Sequence, residues 1–234
     1  MAFVRRALHI LSISLITAGL IVALDVGLTL VWKEPLSTVY GAIRQGQAED
    51  QLEELQTSFI ATPEARQAVK RRGEDEPSQA DVRRLAAVFE RQARSGEPIG
   101  RLSIAAIDVD PVVLQGTDTG TLQKGPGHYP ETAFPGQGKT IAIAGHRTTY
   151  LAPFRNINEI EDGDEVVLEM PYGTFRYRVQ RHAIVDPYAV HIIRDLGYER
   201  VVLTACHPLY SAAQRWVVFA KLSGYEPREI EPSG

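Results

Sequence analysis

From Leu8 to Trp32 the chain is almost wholly apolar, broken only by Asp25 and a few small polar residues. About 20 such residues let a helix cross a bilayer, so the pattern predicts a membrane-spanning helix over 8–32. Arg5 and Arg6 precede the stretch, with His9 just inside it. By the positive-inside rule, residues 1–7 stay cytoplasmic and the remainder emerges outside the cell membrane. A cleaved signal peptide shares the basic start, but its apolar segment is shorter, about 7–15 residues, and no A-x-A-type site follows here. Asp25 is costly at membrane depth and implies water or a partner helix beside it.

The pattern then changes. Thr38–Thr57 is polar and Gln/Glu-rich, with scattered apolar positions at Ile43, Leu52 and Leu55. Gln79–Ser95 carries Val82, Leu85, Val88 and Phe89 at helical spacing. Between them RRGEDEPS (71–78) is a charged breaker. Residues 33–97 therefore read as a partly helical stalk that holds a domain off the membrane.

From Pro98 short β-type runs alternate with Gly/Pro/Asp turns, at 101–108, 111–116, 139–146, 164–170, 174–186, 200–206 and 215–222. The alternation is clearest in TFRYRVQ, where Phe175, Tyr177 and Val179 point one way and Arg176, Arg178 and Gln180 the other. This texture predicts a mainly β domain, a barrel or sandwich, over 98–225, with short helices at 118–123 and 151–159 and a tail over 226–234.

Composition narrows the function. With 25 Lys+Arg against 29 Asp+Glu, the net charge of −4 gives no general attraction to nucleic acid. One Cys excludes an intramolecular disulfide and a Cys-rich zinc site. That Cys206 closes the run VVLTAC, His146 closes IAIAGH, and Arg215 opens RWVVFA. Positions 206 and 215 are nine apart, a separation that lets the chain return antiparallel and bring Arg215 to Cys206; His146, 60 positions before Cys206, must approach through the fold.

These residue types suit covalent acyl transfer. A thiol attacks a carbonyl as its thiolate, and an imidazole exchanges protons with the leaving and entering amines. A guanidinium stays protonated and stabilises the oxyanion. Taken singly, His146 reads as a satisfied core histidine and Arg215 as a surface ion pair; the joint pattern carries the case.

The segments GPGHYPETAFPGQGKTIAIAGHRTTYLAPF (125–154), EDGDEVVLEM and VVLTACHPLYSAAQRWVVFAKL (201–222) resemble the sortase family, most closely the class E sortases of high-GC Gram-positive bacteria. The resemblance runs from about Pro98 to Leu222. It implies an eight-stranded sortase-type β-barrel, with Cys206 as nucleophile, His146 as general acid/base and Arg215 stabilising the oxyanion and substrate. It also implies cleavage of an LAxTG or LPxTG sorting signal between Thr and Gly, and transfer of the thioacyl group to a peptidoglycan-precursor amine. The partners implied are secreted proteins with a C-terminal sorting signal; no cofactor and no metal are expected. Tyr150, Thr204 and Ala205 are expected at the substrate, and His128 is expected to be structural. The family's usual T-L-x-T-C reads Val202-Leu203-Thr204-Ala205-Cys206, so Ala205 lacks a hydroxyl beside the nucleophile.

Two alternatives remain at this point. An L,D-transpeptidase also pairs Cys with His outside the membrane, but VLTACHP does not fit its Ser-x-Gly-Cys loop. A membrane-anchored, non-catalytic binding scaffold finds its only hint in Ala205.

Overall fold

Side chains that alternate in and out along a strand make a sheet with two unlike faces, and closing that sheet buries one of them. A computed structural model of the protein describes residues 2–31, 35–69 and 78–228. The strands are β1 (Pro98–Ser103), β2 (Val112–Gln115), β3 (Gly127–His128), β4 (Thr140–Gly145), β5 (Glu165–Met170), β6 (Gly173–Val185), β7 (Arg200–His207) and β8 (Gln214–Pro227). They form a closed barrel in the order β1-β2-β3-β4-β7-β8-β6-β5. The expected eight-stranded barrel is present, and the runs at 139–146, 164–170, 174–186, 200–206 and 215–222 fall on its strands. β3 was not expected; at two residues it is too short to show a period, and it exists only because β2 and β4 flank it.

Phe175, Tyr177 and Val179 enter the core, as their alternation required. Leu102, Ile141, Ile143, Val166, Leu168, Val201, Leu203, Val218 and Ala220 fill the same interior. On the outer face of the sheet a second cluster gathers Ala142, Val202, Val217 and Phe219. Short helical turns occur at Thr119–Leu122 and Ile157–Glu159, inside the two expected stretches.

The N-terminal region needs a correction. Helices α1 (Ala2–Val31), α2 (Pro35–Ala61), α3 (Pro63–Ala68) and α4 (Gln79–Gln92) precede the barrel. The last three are no stalk: Phe59, Ala65, Val82, Leu85, Ala86 and Phe89 belong to the barrel's own core cluster. Phe89 lies edge-on to Phe59 and Phe134, with ring centroids at 5.3 and 5.6 Å. In α2 the face Gly41, Gln45, Ala48, Leu52, Phe59 meets the barrel, while Ile43 is exposed. Three of those five residues, Gly41, Gln45 and Ala48, are small or polar, which hid the face from a hydrophobic count. A capping box starts α4, with Ser78 N–H donating to Asp81 Oδ2 at 2.8 Å. Of the charged break at 71–78 only Ser78 is described, and the tail beyond 228 lies outside the described residues.

In α1, Arg5–Gly27 is long and apolar enough to cross a membrane, and none of it is buried against the described residues. Leu15, Leu20 and Leu24 are 65, 66 and 65% exposed, which is compatible with a single-pass anchor whose solvent is lipid.

Candidate active site

β4 and β7 run parallel, pairing Ala144 with Thr204 and Gly145 with Ala205. β7 and β8 run antiparallel, pairing Cys206 with Arg215. One residue beyond β4, His146 thus comes level with Cys206, and the three expected residues stand side by side at one rim. Val201, Leu203 and Ala205 face the core while Val202 joins the outer cluster, so Thr204 and Cys206 point outward with Val202. The same alternation turns Arg215 outward with Val217 and Phe219.

This outer face carries Cys206 and Arg215 beside the cluster of Ala142, Val202, Val217 and Phe219. Ile192 and Ile193 of the β6–β7 connection pack on that cluster together with Tyr129 and Val185. Arg200 holds the connection: its Nη2 donates to Ile192 O at 2.8 Å and Arg194 O at 3.1 Å, and its Nε donates to Thr140 Oγ1 at 3.0 Å.

Cys206 is half-buried and free of any disulfide. The His146 ring makes no hydrogen bond among the described residues, and partial burial lowers its pKa below the ordinary imidazole value. Lone imidazole in a half-dry site favours the neutral form that accepts a proton. Arg215 Nη1 donates to the carbonyls of Ala212 (3.0 Å) and Gln214 (2.9 Å), which fixes the guanidinium on the turn. Its Nε and Nη2 make no bond among the described residues and are available to a substrate oxygen.

The segment after His146 is an unusual loop. Phe154 N–H donates to His146 O at 3.0 Å, closing it. Tyr150, Leu151 and Ala152 all lie in the left-handed region, with φ of 49, 65 and 45°. Each such residue costs about 1 kcal/mol or more and persists only where its surroundings enforce it. Tyr150 lies 5.4 Å from the His146 ring, centroid to centroid.

Thr204 is buried and its hydroxyl shares a 3.1 Å hydrogen bond with the Tyr129 hydroxyl, so it lies beneath the outer face rather than open on it. Ala205 is different: its methyl is only 3% exposed and sits in the barrel core, on the face opposite Cys206. The expected side-chain contact of Ala205 with substrate has no surface on which to form. A hydroxyl there would need a partner inside the core, so alanine suits the position. His128 is fully buried, with Nδ1 2.8 Å from Gln115 Oε1 and Nε2 3.0 Å from Ala133 O, and its pKa is pushed down to about 4 by burial. That is a structural role, as expected.

The sequence reading missed Arg147. It is only 4% exposed. Its guanidinium reaches Asn158 Oδ1 (2.6 Å), Arg155 O (3.2 Å), Cys206 O (3.3 Å) and His207 Nδ1 (3.4 Å). It thereby bolts the loop after His146 to the end of β7. Adjacency to the histidine was the only available signal, since an arginine in a polar loop reads as surface.

A family model described as the sortase domain matches residues 102–223. The chain belongs to the sortase family. It is 34% identical over 132 residues to sortase D of Bacillus subtilis, covering 54% of this chain and 65% of that protein. It is 30% identical to sortase SrtE1 of Streptomyces coelicolor, covering 57% of this chain and 42% of that protein. The matches thus span less than two thirds of these two sortases. Sortase SrtE2 of the same organism is 26% identical over 235 residues, covering 93% of this chain and 82% of that one. The solved structure of sortase E from Streptomyces avermitilis is 34% identical, with a TM-score of 0.52, over 57% of this chain and 93% of that one. The expected sortase resemblance, class E included, is thereby borne out, and the barrel fold and family decide against an L,D-transpeptidase.

Proposed function

We propose that this sortase is a cysteine transpeptidase with Cys206 as nucleophile, His146 as general acid/base and Arg215 as oxyanion and substrate stabiliser. The single observation that carries the reading is the strand register that sets these three outward-facing positions side by side. Neutral His146 takes the proton of the Cys206 thiol as its sulfur attacks the carbonyl carbon of the scissile Thr–Gly bond, and the oxyanion forms against the Nε and Nη2 donors of Arg215. As the intermediate collapses, the C–N bond breaks and protonated His146 gives its proton to the departing glycine nitrogen. A thioester to Cys206 remains. Neutral His146 then takes a proton from the entering amine, whose nitrogen attacks the thioester and releases the thiolate.

The substrate is an LAxTG or LPxTG sorting signal near the C-terminus of secreted proteins, and the acceptor is a peptidoglycan-precursor amine. The apolar helix supports a single-pass anchor, with residues 1–7 cytoplasmic and the barrel outside. Tyr150 borders the bound signal from the loop side, and Thr204 acts beneath it.

The test is incubation of the full chain in detergent micelles with a fluorogenic LAxTG peptide, with and without an amine. We expect cleavage, a thioacyl adduct on Cys206 by mass spectrometry, and loss of both in Cys206→Ala. Cleavage surviving in Cys206→Ala sinks the mechanism. Wild-type protein that forms no adduct points instead to the non-catalytic scaffold.

A further inference from the structure

The loop after His146 holds three consecutive left-handed residues, and the catalytic strands alone do not account for their stability. Their outer support comes from α2. Tyr150 N–H donates to Ser37 Oγ at 3.4 Å, and the Tyr40 ring meets the Tyr150 ring edge-on at 6.1 Å. Tyr150 in turn lies 5.4 Å from His146, so the rings of Tyr40, Tyr150 and His146 form a continuous row. At Gly41 the helix approaches the loop so closely that a Cβ would lie 3.1 Å from both Leu151 Cγ and the Tyr150 carbonyl carbon.

The helix is itself fixed one turn later. Gln45 receives Val112 N–H at 2.8 Å and donates to Lys124 O (2.8 Å) and Val112 O (3.1 Å). Leu52 and Phe59 then bury in the two core clusters. A rigid rod thus ends on the catalytic loop. Its other neighbour is the apolar helix: α1 ends at Val31 and α2 starts at Pro35, at most about 15 Å of chain apart.

We propose that Ser37, Tyr40 and Gly41, the first turns after the apolar helix, are positioning residues of the catalytic site, holding the Tyr150–Ala152 loop so that Tyr150 keeps His146 oriented and partly shielded from water. The role rests on the assignment of His146 given above. Seating the loop by a helix tied to the anchor makes catalytic geometry a property of the anchored chain, not of the barrel alone.

The test uses the full chain in detergent micelles, with Gly41→Leu to wedge the helix off the loop and Tyr40→Ala to remove the ring contact. Glu53→Ala, exposed on α2, is the control. Leucine is the better helix former, so Gly41→Leu does not melt α2. In both variants kcat should fall, about 10- to 100-fold for a loop shift near 1 Å, with peptide KM changed by less than about twofold. The titratable and charged neighbours of His146 on the strands, Cys206 of β7 and Arg215 of β8, stay in place, while Tyr150, an uncharged phenol in the range where imidazole titrates, shifts with its loop. The His146 titration, followed by NMR of the histidine-labelled chain and assigned with His146→Asn, should therefore move up towards the ordinary imidazole value as water enters.

Unchanged kcat with an unchanged titration in both variants overturns the proposal. So does a rate above wild type, which is what lifting an inhibitory cover gives. If wild-type chain cleaves nothing, the catalytic reading fails separately, and the NMR titration still decides whether α2 shields His146.

Discussion

Gly145→Ala tests how tightly His146, the proposed general acid/base, is held. Gly145 is the last residue of β4, directly before His146, and the Phe154 ring lies across it. A Cβ there would meet ring atoms Cδ2, Cε2 and Cγ at 2.5, 2.8 and 2.9 Å. Carbon atoms settle at about 3.5–4.0 Å, so the ring must retreat by about 1 Å. It has nowhere easy to go, because Phe154 is completely buried among core residues that include Ile157 and Ile160. Overpacking of this kind costs about 1–3 kcal/mol. The displaced ring also carries its backbone, whose N–H donates to His146 O at 3.0 Å. A shift of about 1 Å at His146 should lower kcat by about 100-fold. The assay is a pair of measurements on the full chain in detergent: the denaturant midpoint, and cleavage of an LAxTG peptide. A second substitution, Phe154→Leu, destabilises wild-type protein but should recover stability in the Gly145→Ala background, giving a favourable coupling energy. Wild-type stability and rate in Gly145→Ala, or simple additivity of the two substitutions, would refute the reasoning.

Other outcomes follow from the same geometry. Arg200→Ala frees the β6–β7 connection by removing bonds to Ile192 O and Arg194 O, and a loss of about 1 kcal/mol of ordering raises peptide KM about fivefold with kcat nearly kept. A variant whose kcat falls instead shows that Arg200 serves the chemistry. His128 is held near 4 in the folded chain against about 6.5 unfolded, so the unfolded chain takes up a proton that the folded one refuses. Stability is therefore full above about pH 6.5 and falls, by about 3 kcal/mol, as pH drops towards 4. His146, lowered by its own burial, adds in the same direction, whereas Glu199, raised by burial, opposes it by favouring the folded state on acidification. Denaturant midpoints from pH 7 to 4 check this; a slope that persists unaltered in His128→Gln removes His128 as its source.

Sequence by itself determined the residue types and the local geometry. Period-two alternation marked β6 as a strand, and the short β-type runs placed Cys206, His146 and Arg215 at strand ends. It also carried the family, because the segments around those three residues are contiguous. Local patterning reports only on neighbours in the chain, however. That β4 lies parallel to β7, so that residues 60 positions apart become adjacent, is a property of barrel closure alone. Ala205 shows the limit from the other side: it is next to Cys206 in sequence, yet the pleat sends its methyl into the core. Arg147 has the opposite fate, a charged residue that only a ring of converging carbonyls allows to be buried. The helices before the barrel were misread for a related reason. Gly41, Gln45 and Ala48 gain their value from close approach and hydrogen bonds to the barrel, not from apolar area, and those partners exist only once the barrel has folded.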